Sequence, residues 1–226
     1  MNGKPEIHTL ALGICNAYVI RAQGSVAIEG GAPGKAAVFR KGLERIGMDP
    51  GEIGLLILTH GHWDHIGSAH DLQAMTGAPI AMHEADKACL EQAVIRIPPG
   101  TSAWSRFLVR LMGGFESRIR IEPCRVDLVL GDDEMSLADF GVPGTVLHTP
   151  GHSQGSVSVL LDSGDCFVGD LAMNGLPLRI GPGPPIFAED LNRVRQSWKS
   201  LLDRGAKTIY PAHGKSFSAD ILRKQL

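Results

Sequence analysis

At 226 residues the chain has room for one large domain or two small ones, with enough length to bury a sizeable core. Lys+Arg 22 against Asp+Glu 24 leaves a net charge of −2, which excludes a general attraction to nucleic acid or to an anionic membrane surface. Hydrophobic residues at 43% and charged residues at 20% describe a folded globular chain, and Arg21 interrupts the only apolar run that approaches a membrane span.

In chain order, short runs rich in β-branched residues predict strands over 16–20 and 26–28. Ala36, Phe39, Leu43 and Ile46 recur at helical spacing and predict a helix over 35–47. A fully buried strand is expected over 53–59, then a histidine-rich loop, then a helix capped by Ser68 and ended by Gly77. A short strand follows at 79–82. The second half predicts strands over 126–130, 145–148, 156–161, 166–169 and 207–210, with a hairpin turn at 162–165. Leu191, Val194, Trp198, Leu201 and Leu202 mark a late amphipathic helix. Two β-rich halves with helices attached predict paired sheets covered by helices.

Two segments break this rhythm. Residues 90–125 lack strand signals and carry Trp104, Phe107, Leu108, Leu111 and Met112 at helical spacing. Residues 174–187 are rich in Gly and Pro and predict a loop. Cys15, Cys89, Cys124 and Cys166 form no CxxC pair, so they are read as small buried hydrophobes, not as a zinc ribbon or a disulfide framework. The N-terminus lacks the features of a secretory signal, and a cytoplasmic location is expected.

The chemistry is concentrated in Thr59-His60-Gly61-His62-Trp63-Asp64-His65-Ile66-Gly67. In extended chain, side chains at i and i+2 share a side, so His60, His62 and Asp64 are expected to converge. A turn after Asp64 would swing His65 toward a second point nearby. Three imidazoles and a carboxylate this close suit borderline divalent metal ions, and burying them without a partner would be costly.

Here the chain resembles the metallo-β-lactamase superfamily, whose signature is His-x-His-x-Asp-His. The match continues through Thr149-Pro150-Gly151-His152-Ser153, Gly169-Asp170 and Tyr210-Pro211-Ala212-His213-Gly214. The resemblance implies an α+β fold, a four-layer αββα sandwich, as a single domain over 1–226 with a helical insert around 90–125. It makes His60, His62 and His152 ligands of one metal and Asp64, His65 and His213 ligands of a second, with Asp170 bridging. The implied cofactor is a pair of divalent ions, zinc first, with iron or manganese as alternatives. The implied activity is attack of a metal-bridging hydroxide on an ester, lactone or thioester, with Asp64 and Asp170 as the catalytic carboxylates. Asp170 argues against antibiotic hydrolysis, because the true β-lactamases of the family do not use that position.

The chain departs from the family at Ile28-Glu29-Gly30-Gly31, where members often carry Asp in place of Glu29. Gly151-His152-Ser153-Gln154-Gly155 also matches the G-x-S-x-G nucleophile elbow, but the β-branched run after it predicts a strand where an elbow needs a helix. Trp63, Trp104, Phe107 and Met173 are candidates for a substrate pocket, with Leu176 as a neighbour. The stripe at 104–112 reads equally as core, lid, pocket wall or homodimer face. Arg96, Arg106, Arg110, Arg118, Arg120 and Arg125, with only Glu91, Glu116 and Glu122 for company, read as a solvated face or as a site for an anionic group. His148 is a candidate for supporting the metal loop, whereas His8, His70 and His83 read as structural.

Within the family, lactonases of signalling compounds carry Tyr where this chain has Met173, and hydroxyacylglutathione hydrolases share Trp63 but add a C-terminal helical extension. A small-molecule substrate is expected, without nucleic-acid or membrane partners. The alternatives are a persulfide dioxygenase with a single iron, or a metal-binding scaffold without turnover.

Overall fold

Among the described residues, the β-branched runs pair into two sheets of six strands each. In the first, β1 (Glu6–Ala11), β2 (Asn16–Arg21), β3 (Ser25–Ile28), β4 (Leu55–Ile57), β5 (Ile80–His83) and β6 (Leu128–Leu130) lie side by side in chain order. β1, β2 and β3 are antiparallel, and β3 to β6 run parallel. The second sheet comprises β7 (Met135–Ser136), β8 (Gly144–His148), β9 (Val157–Leu161), β10 (Asp165–Gly169), β11 (Thr208–Pro211) and β12 (Phe217–Ser218), again as sequential neighbours. The computed structural model describes residues 4–112, 114, 118–175 and 179–226. Glu116, Leu176 and Pro177 lie outside the described residues.

Parallel neighbours require crossovers, and helices supply them. α1 (Ala36–Arg45) joins β3 to β4; α2 (Trp63–Ile66) and α3 (Ala69–Thr76) join β4 to β5; α4 (Lys87–Glu91) and α5 (Ala103–Met112) fall between β5 and β6. α6 (Leu191–Asp203) joins β10 to β11, and α7 (Asp220–Arg223) closes the described chain. α5 begins where it does because Ser102 and Ser105 cap each other. The Ser105 amide donates to Ser102 Oγ at 3.1 Å and the Ser102 amide to Ser105 Oγ at 2.8 Å. α6 is capped by Asp190, whose carboxylate accepts from the amides of Asn192 and Arg193.

Alternation along the strands sends one set of side chains inward. Tyr18, Ile28 and Ile57 of the first sheet meet Val146, Val159 and Phe167 of the second in a shared inner core. On the outer face of the first sheet, Phe39, Leu43 and Leu72 of α1 and α3 cover Val19, Ala27 and Leu56. On the outer face of the second, Val194, Trp198 and Leu201 of α6 cover Cys166, Val168 and Ile209. The result is the αββα sandwich, four layers deep.

Several expectations change in detail. The strand expected over 53–59 is confined to Leu55–Ile57, because Pro50–Glu52 forms a helical turn that runs up to Ile53. Ser68 does not cap α3 with its side chain; its hydroxyl donates to Ala32 O at 2.6 Å and accepts from the Lys35 amide at 2.7 Å. Gly77 does end α3, at φ +71°. β1, β7 and β12 were not expected. β1 is half polar and largely exposed or half-buried, and the other two are two-residue edge strands with no periodicity to read.

Candidate metal centre

Four strand ends bring the chemistry together. β4 runs into the loop that carries His60 and His62, and α2 follows with Asp64 and His65. β8 leads to His152, β10 to Asp170 and β11 to His213. β8, β10 and β11 point the same way across their sheet, so their ends share one edge. The Val157 amide donates to Thr59 O at 2.8 Å, fastening the β4 exit of one sheet to β9 of the other. Gly30 and Gly169 permit the close approach. A Cβ at Gly30 would stand 2.9 Å from His65 O, and at Gly169 (φ +52°) 2.3 Å from Thr59 Oγ1.

The extended geometry expected through Asp64 stops at His62. The amides of His65 and Ile66 both return to His62 O, at 2.9 and 3.1 Å, so the helical turn begins at Trp63. Asp64 is thereby turned away from His60 and His62 and groups with His65 and His213. The second group is His60, His62 and His152. His152 Nε2 lies 3.2 Å from His60 Nε2 and 2.9 Å from His62 Nδ1. His213 Nε2 is 3.3 Å from Asp64 Oδ2, and His65 Nε2 is 3.6 Å from the same oxygen. Asp170 spans the two groups. Its Oδ1 lies 3.3 Å from His213 Nε2 and 3.5 Å from His65 Nε2, while Oδ2 is 3.6 Å from His152 Nε2.

The outer nitrogens settle which atoms are bare. His152 Nδ1 sits 2.8 Å from Phe187 O and His213 Nδ1 2.6 Å from Ile14 O; a carbonyl only accepts, so both nitrogens carry the ring proton. The Thr59 hydroxyl donates to Glu29 Oε1, which leaves its oxygen to accept from His60 Nδ1 at 3.0 Å. His65 Nδ1 faces Glu29 Oε1 at 3.3 Å. In the neutral form that ligates a metal, these four imidazoles present their Nε2 lone pair to the interior. The Nε2 lone pairs of His152 and His60 face one another at 3.2 Å and repel unless a cation stands between them. Among the described residues, His65 Nε2 and Asp170 Oδ1 are buried without a hydrogen-bond partner. The donor set is the nitrogen-and-carboxylate set that borderline divalent ions take, so these residues fit such a metal.

Charge divides the cluster into unlike halves. Burial, reinforced by the neighbouring imidazoles, holds the pKa of His60 well below the usual histidine range and that of His62 down at about 3. Burial also lowers His152. In the other half burial opposes charge but loses. Asp64, Glu29 and Asp170, with the Cys15 thiol, raise His65, and Asp170 and Asp64 raise His213. The same imidazoles hold Asp64 and Asp170 below the usual carboxylate range despite burial.

The cluster lies at the floor of a cavity of about 710 Å³. Ile14, Trp63, Trp104, Leu108, Met173 and Phe187 form apolar wall, and Arg96 and Lys215 are its cationic members. Phe107 does not line it; the ring is 55% exposed and stacks on Trp104 with centroids 5.8 Å apart. Of the six arginines around the insert only Arg96 reaches the cavity, and its guanidinium is also 3.5 Å from Asp86. His148 stands off the cluster, between Asp132 and Gln154 O, and His70 is exposed. Ser153 is no nucleophile elbow. No helix follows it, and its hydroxyl donates to Asp86 Oδ2 at 2.6 Å. Sequence reasoning missed Asp86, Ile14 and Phe187. The last two act through backbone carbonyls, which leave no side-chain signature.

Comparison with known proteins agrees with this architecture. An uncharacterized protein of Mycobacterium tuberculosis is 27% identical over 215 residues, covering 89% of this chain and 87% of its own. A probable metallo-hydrolase of Bacillus subtilis is 30% identical over 121 residues, 53% of this chain and 50% of its own. An archaeal metallo-beta-lactamase superfamily protein from Sulfolobus tokodaii superposes with a TM-score of 0.70 at 22% identity, covering 99% of this chain and 86% of that one. The sequence family described as the Metallo-beta-lactamase superfamily matches residues 10–213, a span that takes in every member of the histidine and aspartate cluster. The chain belongs to the metallo-beta-lactamase superfamily, a family of metallo-hydrolases.

Proposed function

We propose that this protein is a dinuclear metal-dependent hydrolase of acyl bonds, acting on an ester, lactone or thioester. The observation that carries the reading is the presence of two adjacent donor groups with Asp170 between them, their tautomers already set by Thr59, Glu29, Phe187 and Ile14. His60, His62 and His152 would hold one ion, and Asp64, His65 and His213 the other, with Asp170 shared. When bound, such a pair supplies a water acidified toward neutral pH and a Lewis acid for the carbonyl oxygen.

The chain's own residues do the rest. Asp64 is the more accessible of the two carboxylates, with its side chain 15% exposed, and it lines the cavity. It is therefore the group placed to take a proton from water and return it to the leaving group. Asp170, held at both ends by imidazoles, keeps its negative charge and fixes the spacing of the two halves. The cavity volume suits a small molecule, and its apolar wall favours an acyl or aryl body.

The test is metal content by plasma mass spectrometry on untagged protein expressed with zinc, iron and manganese available, followed by a screen of esters, lactones and thioesters. Two divalent ions per chain, with turnover that falls at least a hundredfold in Asp170→Ala, is the expected result. A single iron would replace this reading with sulfur oxidation. A folded protein with no tightly held metal would leave a scaffold.

A further inference from the structure

The wall of the cavity carries charge of one sign. Arg96 and Lys215 are its cations, and the acids among its described lining residues are Asp64 and Asp170 alone. Both acids are already engaged. Asp170 faces His65, His152 and His213, and Asp64 faces His65 and His213. Neither cation has a counter-charge within the lining.

Arg96 is held from behind. Its Nη1 donates to Ala85 O at 3.2 Å and lies 3.5 Å from Asp86 Oδ1. Asp86 is buried and is itself fixed by the Gly61 amide at 2.9 Å and the Ser153 hydroxyl at 2.6 Å. One guanidinium nitrogen makes both contacts, so the edge formed by Nε and Nη2 has no partner among the described residues. That edge is the planar fork that grips a carboxylate through two parallel N–H bonds. Asp86 offsets part of the charge, but it also fixes the direction of the fork.

Lys215 belongs to the other half of the cluster, two residues beyond His213. Its backbone is pinned on both sides by Asn174: the Lys215 amide donates to Asn174 O at 3.1 Å, and Lys215 O accepts from Asn174 Nδ2 at 2.8 Å. Its ammonium has no partner among the described residues. Ile97 and Pro98 follow Arg96 in the lining, and Trp104 and Leu108 of α5 join them. The fork therefore ends an apolar wall.

We propose that the compound taken into this cavity is an anionic acyl compound, whose carboxylate is gripped by Arg96 away from the bond to be broken and drawn in by Lys215. The inference rests on the acyl-hydrolase reading and adds to it the charge of the substrate. An apolar body joins the carboxylate to the acyl carbon and lies along the wall. The Arg96 side chain is 44% exposed, so solvent screening keeps the preference for the anion moderate.

The experiment is calorimetric titration of the full chain, as purified, with phenylbutyrate and with its neutral amide, which share one apolar body. Wild type is expected to bind the carboxylate about tenfold tighter than the amide. Arg96→Gln is expected to bring that ratio close to one, and Lys215→Gln to lower it about threefold, an effect that fades as salt is added. Arg96→Gln also unpairs Asp86, but a loosened loop would weaken both compounds alike, whereas loss of the fork changes the ratio. A wild type that does not favour the carboxylate overturns the proposal. A preference that survives in Arg96→Gln assigns the carboxylate to the main cluster and overturns it as well. None of these readouts needs turnover. An Arg96-dependent preference without hydrolysis of any ester, lactone or thioester would remove the acyl-hydrolase reading alone, and hydrolysis of neutral esters without that preference would remove the anion site alone.

Discussion

Glu29 Oε1 lies 3.3 Å from His65 Nδ1, and both side chains are buried to within 1% of full enclosure. The same oxygen accepts from the Thr59 hydroxyl, which in turn accepts from His60 Nδ1. One carboxylate thus sets the ring proton of a histidine in each half of the cluster. It does so from a left-handed backbone at φ +75°, a conformation that a glutamate adopts only when its surroundings enforce it. Glu29→Ala is expected to weaken zinc binding by about 10–100-fold, the usual cost of losing a partner that orients a ligand. Glu29→Gln, whose amide oxygen can stand in for Oε1, falls between wild type and alanine. Competition with a chromogenic chelator measures both, and an alanine variant that binds as tightly as wild type would remove Glu29 from this role.

Asp86 holds the two ligand loops against each other. Its Oδ2 takes the Gly61 amide from between His60 and His62 and the Ser153 hydroxyl beside His152. Asp86→Ala leaves the Gly61 amide buried and unpaired, at a cost of about 1–3 kcal/mol, while the Ser153 hydroxyl keeps Ser156 Oγ at 2.8 Å. Urea unfolding of the metal-free variant should show a midpoint lowered accordingly. Turnover should fall as well, since the three nitrogens of His60, His62 and His152 lose their common anchor. Normal stability with normal turnover would show that the loops hold their geometry without it.

The layered fold was legible because it rests on long periodic runs. The alternation at 156–161 and the helical stripe from Leu191 to Leu202 became β9 and α6, each with its apolar side buried. The seven cluster residues were legible from motif spacing, but the geometry that spacing suggested was wrong at Asp64. Period-2 reasoning assumes an extended chain, and two amides bonding back to His62 O end that extension two residues early. Phe107 failed for a different reason. Helical spacing places it and Trp104 on neighbouring faces, and only packing decides which of the two looks into the cavity. Asp86 carried no signal at all, because its partners are distant in sequence.

The unlike halves of the cluster give the metal-free protein a peaked dependence of stability on pH. His60, His62 and His152 are held below their unfolded value of about 6.5, so the unfolded chain binds more protons and stability falls as pH drops from that value toward 3. Asp64 and Asp170 are held below the usual carboxylate range, and they add to the loss in acid. His65 and His213 are raised, so their contribution is complete below about 6.5 and fades as pH rises toward their folded values. Guanidinium midpoints in the presence of chelator should therefore be highest near pH 6.5 and decline on both sides. A midpoint that climbs steadily to pH 9 would contradict the charged state of His65 and His213.

Trp104 and Phe107 stack on one another at the surface of α5, yet only Trp104 lines the cavity. Their side chains are similarly exposed, at 61% and 55%, so truncating either removes little buried area and should change stability by no more than about 0.5 kcal/mol. Their effects on catalysis should separate. Trp104→Ala is expected to raise KM several-fold for an apolar acyl substrate with kcat nearly unchanged, the pattern of lost uniform binding. Phe107→Ala touches the cavity only through the Trp104 ring and should shift KM less. Steady-state kinetics on both variants, with thermal melts as the control for folding, decide the matter. Equal rises in KM would mean that the two rings form the wall as a unit, and no rise in either would place the acyl group against Ile14, Met173 and Phe187 on the other walls.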